Sequence, residues 1–155
     1  MIMLSMKFVR TIPGYNHLWA VKEEEKEPEP EDNVALRFGV ISDFQYGRAS
    51  QISGKTSYEY CGEKFKRAVT QLKAKAGGIS KLDALLIVGD ITHNSTAEEW
   101  KAFVADLKEV VPPTAHTKVM FLRGNHDAKP NLQQNFITYL ADYGVTQSNN
   151  IYDVN

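Results

Sequence analysis

The chain has 155 residues, 43% hydrophobic, 10% aromatic and 24% charged, a length and composition that suit one folded domain and exclude an intrinsically disordered protein. No apolar run approaches the roughly 18 residues of a membrane-spanning helix, so no membrane partner is expected. Cys61 is the only cysteine, which excludes an internal disulfide and a cysteine-built zinc site and leaves His, Asp, Glu, Asn and Gln as the donors for any metal.

In chain order, the start Met1 to Arg10 is apolar but lacks the basic n-region, long h-region and small-residue cleavage site of a secretion signal, and the expected location is cytoplasmic. Residues 1–22 are expected to form an amino-terminal hairpin, with Lys7 to Ile12 and His17 to Val21 flanking the turn Pro13-Gly14-Tyr15-Asn16. Residues 23–33 carry 7 of the 19 acidic groups and one of the 18 basic ones. Alternating Glu and Pro cannot pair as a strand, so this stretch reads as an acidic linker. The formal net charge of −1 therefore conceals 17 basic groups against 12 acidic ones elsewhere. So mild an excess suits a phosphorylated small-molecule substrate better than a nucleic-acid groove, and no specific nucleic acid is expected as a partner.

From residue 34 to 155 the pattern becomes that of an α/β domain. Residues 35–41, 84–88 and 118–122 are nearly continuous apolar runs of strand length, as in buried parallel strands. Between the first two lies an amphipathic helix carrying Phe65, Val69, Leu72 and Ala76 and stopping at Gly77-Gly78. Between the second and third, Thr96-Ala97-Glu98-Glu99 is a capping-box pattern opening a helix with Trp100, Phe103, Val104, Leu107 and Val111, ended by Pro112-Pro113. A third helix is expected from Pro130 to Tyr143, stopped by Gly144. Strand and helix in alternation predict a mostly parallel sheet flanked by helices with right-handed crossovers.

The residues at the end of each strand carry the chemistry. The first run ends in Ser42-Asp43-Phe44-Gln45, the second in Gly89-Asp90, and the third in Gly124-Asn125-His126-Asp127. The carboxyl ends of parallel strands are where open α/β sheets bind ligands. Two carboxylates from neighbouring strands, with amide oxygens and an imidazole, make a mixed oxygen and nitrogen donor set for Mn, Fe, Zn or Mg. A carboxylate on the middle strand is placed to bridge two cations roughly 3.5 to 4 Å apart, as in two-metal phosphoesterases. Each motif alone reads equally well as a turn, since Gly, Asn and Asp are common turn formers. The conjunction of three strand ends is what favours a site.

Asp43-x-Gln45, Gly89-Asp90 and Gly124-Asn125-His126-Asp127 resemble the first three signature motifs of the calcineurin-like metallophosphoesterases, and the resemblance covers about residues 35 to 144. It implies the metallo-dependent phosphatase-like fold, two divalent metal ions, and hydrolysis of a phosphate ester or diphosphate by a two-metal-activated hydroxide. It assigns Asp43, Gln45, Asp90 and Asn125 to the metals, with Asp90 bridging. Asn125 and His126 would contact the phosphate, and His126 would protonate the leaving group. Asp127 would complete the catalytic group by orienting His126 or shaping its loop.

Two departures accompany the resemblance. The usual motif has His where this chain has Gln45. A neutral amide oxygen is a harder and weaker ligand, so manganese or magnesium is expected over zinc. Asp-x-Gln is similar to the manganese-dependent ADP-ribose/CDP-alcohol diphosphatase branch. The family also completes its site with histidines from a second half, whereas no histidine comes after His126 here, and His17, His93 and His116 precede it. The expectation is a truncated domain holding the first half of the usual two-sheet sandwich. His93, three residues after Asp90, is close enough to approach the site from its loop, although a solvent-facing loop histidine is the safer reading. Arg48 and Lys55 lie in the loop after Asp43 and could meet substrate phosphate, Arg48 being the weak candidate for binding. Tyr46, Tyr58 and Tyr60 fit either stacking on a base or packing over the sheet edge. The alternative function is a non-catalytic interaction module or inactive fragment on the same fold, with an exposed sheet edge available for homodimerisation.

Overall fold

The computed structural model describes residues 34–49 and 54–146. The hairpin expected over 1–22, the linker over 23–33 and the stretch from 147 onward lie outside the described residues. The order of elements is β1 (Phe38–Ile41), α1 (Ser57–Lys75), β2 (Ala84–Val88), α2 (Ala97–Val110), β3 (Lys118–Leu122) and α3 (Gln133–Leu140). The strands form one parallel sheet in the order β1-β2-β3, pairing Phe38 with Ala84 and Ala84 with Lys118.

Strand β1 begins three residues later than its apolar run. The Asp83 N–H still donates to the Arg37 carbonyl at 2.8 Å, but the Arg37 N–H is taken by the Asp83 carboxylate at 2.7 Å, and the regular ladder begins at Phe38. Helices α1 and α2 start where capping boxes place them. Thr56 and Thr96 each accept a hydrogen bond from the third helical N–H, and Glu59 and Glu99 reach back to the cap, which satisfies donors a helix start otherwise leaves open. Helix α3 begins at Gln133 rather than Pro130. Asn131 takes a left-handed φ of 65° and the Leu132 N–H bonds to the Lys129 carbonyl at 3.1 Å, so the chain makes a turn before it can enter the helix. After α3 a single 3-10 turn, Ala141–Tyr143, ends at Gly144, whose φ of 83° suits glycine.

Two right-handed crossovers moving in the same direction across a sheet put both helices on one face, and burial obeys that rule. Leu85, Ile87 and Phe121 face the helices and are fully or almost fully buried, joined by Phe65 and Val69 of α1, by Trp100, Phe103 and Leu107 of α2, and by Phe136 and Leu140 of α3. Gly39 makes close docking of α1 feasible, since a Cβ there would lie 2.6 Å from the Leu72 side chain. Phe103 is the centre of this core, meeting the rings of Tyr46, Phe65, Trp100 and Phe121 edge-on with centroids 5.3 to 6.5 Å apart. Such edge-to-face pairs add about 0.5 to 1.5 kcal/mol each beyond area burial. On the other face Phe38, Val40, Val88 and Met120 are exposed, and no element among the described residues covers them. No helix among the described residues is long and apolar enough to cross a membrane.

Candidate functional site

All three strands release their chains at the same edge of the sheet, and backbone hydrogen bonds lace the three loops together there. The Asp43 N–H donates to the Gly89 carbonyl at 3.3 Å, Gln45 to Asp90 at 3.0 Å and Tyr46 to Ile91 at 2.8 Å, while His93 donates back to Tyr46 at 2.8 Å. The chain after β1 thus runs alongside the chain after β2 beyond the ends of the strands, with an isolated parallel bridge at Tyr46 and Thr92. The Gly89 N–H continues the lacing to the Leu122 carbonyl of β3 at 3.0 Å.

The backbone at this edge is unusual in one respect. Asp43, Gln45 and Asp90 all adopt left-handed conformations, with φ of 60°, 48° and 50°. For side chains other than glycine that region costs roughly 1 to 2 kcal/mol, with Asp and Asn the least averse. Three such residues at the ends of two adjacent strands are strain concentrated where a ligand would sit. Asp43 is exposed, while Gln45 and Asp90 are half-buried. The third loop closes on Asp90: the His126 N–H donates to Asp90 Oδ1 at 3.1 Å, and a Cβ on Gly124 would stand 2.2 Å from both the backbone nitrogen and Oδ1 of Asp90. Only glycine lets the loop approach this carboxylate so closely.

Asp127 is fully buried, and its carboxylate is consumed in holding the loops. Oδ1 accepts from the Thr92 N–H and hydroxyl, both at 2.8 Å, and Oδ2 accepts from the N–H groups of Gly124 at 3.0 Å and Ile91 at 3.2 Å. Burial pushes its pKa up, and these bonds pull the other way. Of the two roles expected for Asp127, the geometry therefore places it with the loop and not with the His126 ring. That ring instead meets the His93 backbone carbonyl, 2.7 Å from its Nδ1. Support continues outward, as Ser95 Oγ donates to the Asp127 carbonyl at 3.0 Å and accepts from Trp100 Nε1 at 3.0 Å.

The sequence-predicted residues are not all brought together. Asp43, Gln45, Asp90, Asn125 and His126 all lie on the laced loops of this one edge. Arg48 lies beside them, its Nη1 donating to Gln45 Oε1 at 3.0 Å. Lys55 turns away to pair with Glu63 on α1. Tyr46 is a core residue whose hydroxyl donates to Asp106 at 2.9 Å; burial and the Asp106 charge push its pKa far up, and it is unavailable for stacking on a base. Cys61 is buried with a raised thiol pKa, and its Sγ donates to the Gln45 carbonyl at 3.6 Å, a supporting contact.

His93 departs from the solvent-facing reading. It is half-buried and stacks on His126, with ring centroids 5.0 Å apart and planes at 20°. The sequence signal for it is its position three residues after Asp90. Glu99 also does more than its capping pattern indicates: besides capping α2 it accepts from the Asn94 N–H at 2.8 Å and fills the space beside Gly47, whose φ is 92°.

Among the described residues no three His, Cys, Asp or Glu side chains gather into a metal-holding group, so a metal set built from the described residues of this edge would draw on the amide oxygens of Gln45 and Asn125. The oxygen donors present are two carboxylates and two amides, types that suit hard divalent cations. Two buried nitrogens without partners, His93 Nδ1 and Arg123 Nη1, belong to the chain segments that form this edge. Native structures seldom leave buried polar atoms unpaired, and the Arg123 guanidinium, a donor only, calls for an anion or water rather than a cation. The residues fit divalent metal at this edge. No curated protein matches the chain. The family model described as calcineurin-like phosphoesterase matches residues 36–154, and the chain belongs to that family.

Proposed function

We propose that this edge is a metal-dependent hydrolytic site for a phosphate ester or diphosphate. The observation that carries the reading is the convergence of Asp43, Gln45 and Asp90, all left-handed, with a glycine-permitted loop closed on the Asp90 carboxylate. Members of the family generally use two divalent metal ions. Asp43, Gln45, Asp90 and Asn125 would hold them, and bound cations would polarise the phosphoryl group and activate water.

The chain's own residues do the rest. His126, anchored through Nδ1, turns its Nε2 away from the anchoring carbonyl, where it can pass a proton to the leaving oxygen. The exposed Asn125 amide stands next to it to contact the phosphate. Asp127 is a positioning residue that holds the Gly124 loop to the Thr92 loop. The Arg48 guanidinium steadies Gln45 and adds positive charge at the mouth. Because an amide carbonyl has two lone pairs, Gln45 Oε1 can accept from Arg48 and still face a cation. Gln45 in place of histidine favours manganese and a nucleotide-type diphosphate substrate.

The test is manganese-dependent hydrolysis of an aryl phosphodiester and of a nucleotide diphosphate by the chain and by His126→Ala. Turnover that the substitution lowers about 100-fold or more, the range for a lost general acid, is the expected result. Turnover unchanged by the substitution would contradict the assignment. The apolar sheet face formed by Phe38, Val40, Val88 and Met120, which no element among the described residues covers, favours one second reading, an interaction module on this fold. That reading expects no metal-dependent turnover.

A further inference from the structure

We propose that His93 is a second phosphate-binding residue of this site, presenting an Nε2–H donor beside His126. The proposal rests on the hydrolytic reading of the edge and extends it to a residue outside the matched motifs. Three observations carry it. First, the two imidazoles are stacked in near-parallel planes, so a group that reaches one ring lies close to the other. Second, His93 Nδ1 is buried with no partner. A hydrogen on that nitrogen would be an orphaned donor, the rarer and costlier kind of unsatisfied group, so in the neutral ring the hydrogen belongs on Nε2. Third, His126 Nδ1 lies 2.7 Å from the His93 carbonyl. A carbonyl only accepts, so that nitrogen carries the hydrogen and the His126 Nε2 of the neutral ring carries a lone pair.

The two stacked rings are thus fixed in opposite tautomers by one carbonyl and one burial. Neither Nε2 has a protein partner or is a buried orphan among the described residues, and both are free for a ligand. One offers a hydrogen-bond donor and the other a proton acceptor. A phosphate oxygen suits the donor, and a hydroxyl or water suits the acceptor, which must first take up a proton before it can pass one to a leaving oxygen. His93 would hold the phosphoryl group while His126 handles the proton.

The experiment is histidine-selective 15N NMR on the magnesium-loaded chain, titrated with inorganic phosphate. The chain has four histidines, His17, His93, His116 and His126, and single Gln substitutions assign them. The expected spectrum shows His93 with its hydrogen on Nε2 and His126 with its hydrogen on Nδ1. Phosphate is expected to shift both rings saturably, and His93→Ala to weaken phosphate binding about tenfold, the loss of one hydrogen bond to a charged group. His93→Gln, which can place an amide N–H near the same spot, should restore most of it. A hydrogen on His93 Nδ1, or a phosphate response confined to His126 with unchanged affinity in His93→Ala, would overturn the proposal and leave the hydrolytic reading standing. No response from either ring would overturn both.

Discussion

The helix-covered face of the sheet and its carboxyl edge are built on opposite principles. Beneath the helices the packing is dominated by apolar and aromatic side chains, the strands are regular, and Phe103 sits among four other rings. At the edge, a few residues away, three non-glycine residues are left-handed, a carboxylate is buried, and two buried nitrogens lack partners. Each of those features costs stability, and the core offsets it. The contrast teaches that specific polar contacts, the lacing bonds and the Asp127 carboxylate, hold the edge in its strained shape, while the face beneath supplies the stability that offsets the strain.

The contrast breaks most severely when the supporting side is removed. Phe103→Ala deletes the central ring of the core and should cost about 3 to 5 kcal/mol, a large share of the stability of a domain this size; the midpoint of urea unfolding measures it. Asp127→Ala should cost about 2 to 4 kcal/mol, because it leaves the buried N–H groups of Ile91 and Thr92 without their acceptor. Its signature is a loss of metal affinity of at least about tenfold at a distance from the metals, as expected for a supporting residue, read by calorimetry at a temperature where the variant is folded.

The edge itself should respond in the opposite direction. Asp43→Gly relieves a left-handed φ of 60° at the expense of backbone entropy, and should leave stability equal or up to about 1 kcal/mol higher while removing a proposed metal donor. A stabilised variant that binds no manganese would sharpen the contrast, and a destabilised one would show that Asp43 holds structure. The smallest effect is alkaline. Tyr143 donates to the Val111 carbonyl at 2.8 Å, and burial, with the nearby Asp142 charge, raises its pKa from 10.0 to about 12. In the unfolded chain the phenol ionises near 10.0 while the folded one stays protonated, so its stabilisation is complete below pH 10.0 and declines as pH rises toward 12. Tyr143→Phe should flatten that part of the pH-stability profile, as thermal melts across the window would show.

The two regions also differ in how much of them the amino-acid order reveals. β2 and β3 run over the residues of their apolar runs, and Thr96 opens α2 where its capping box places it, because apolar runs and caps are local signals. The donors of the edge are legible as residue types after strands. Their conformation is not, since nothing local forces Gln45 or Asp90 into the left-handed region; the lacing of Gln45 to Asp90 and Tyr46 to Ile91 imposes it. The partners of Asp127 on the loop after β2, Thr92 and Ile91, lie 35 and 36 residues away in sequence, and the stacking of His93 on His126 depends on how two loops cross. Contacts of that range are decided by tertiary structure, whereas the turn that delays α3 is closed locally by the Leu132 N–H on the Lys129 carbonyl.

The central claim is that the carboxyl edge holds divalent metal through Asp90 and its neighbours. The most direct measurement is calorimetric titration of manganese into the chain and into Asp90→Asn, which keeps an acceptor for the His126 N–H but removes the charge. The predicted result is saturable binding to the chain and its loss in Asp90→Asn, with the fold intact by circular dichroism. Equal binding by both proteins, or none by either, would contradict it.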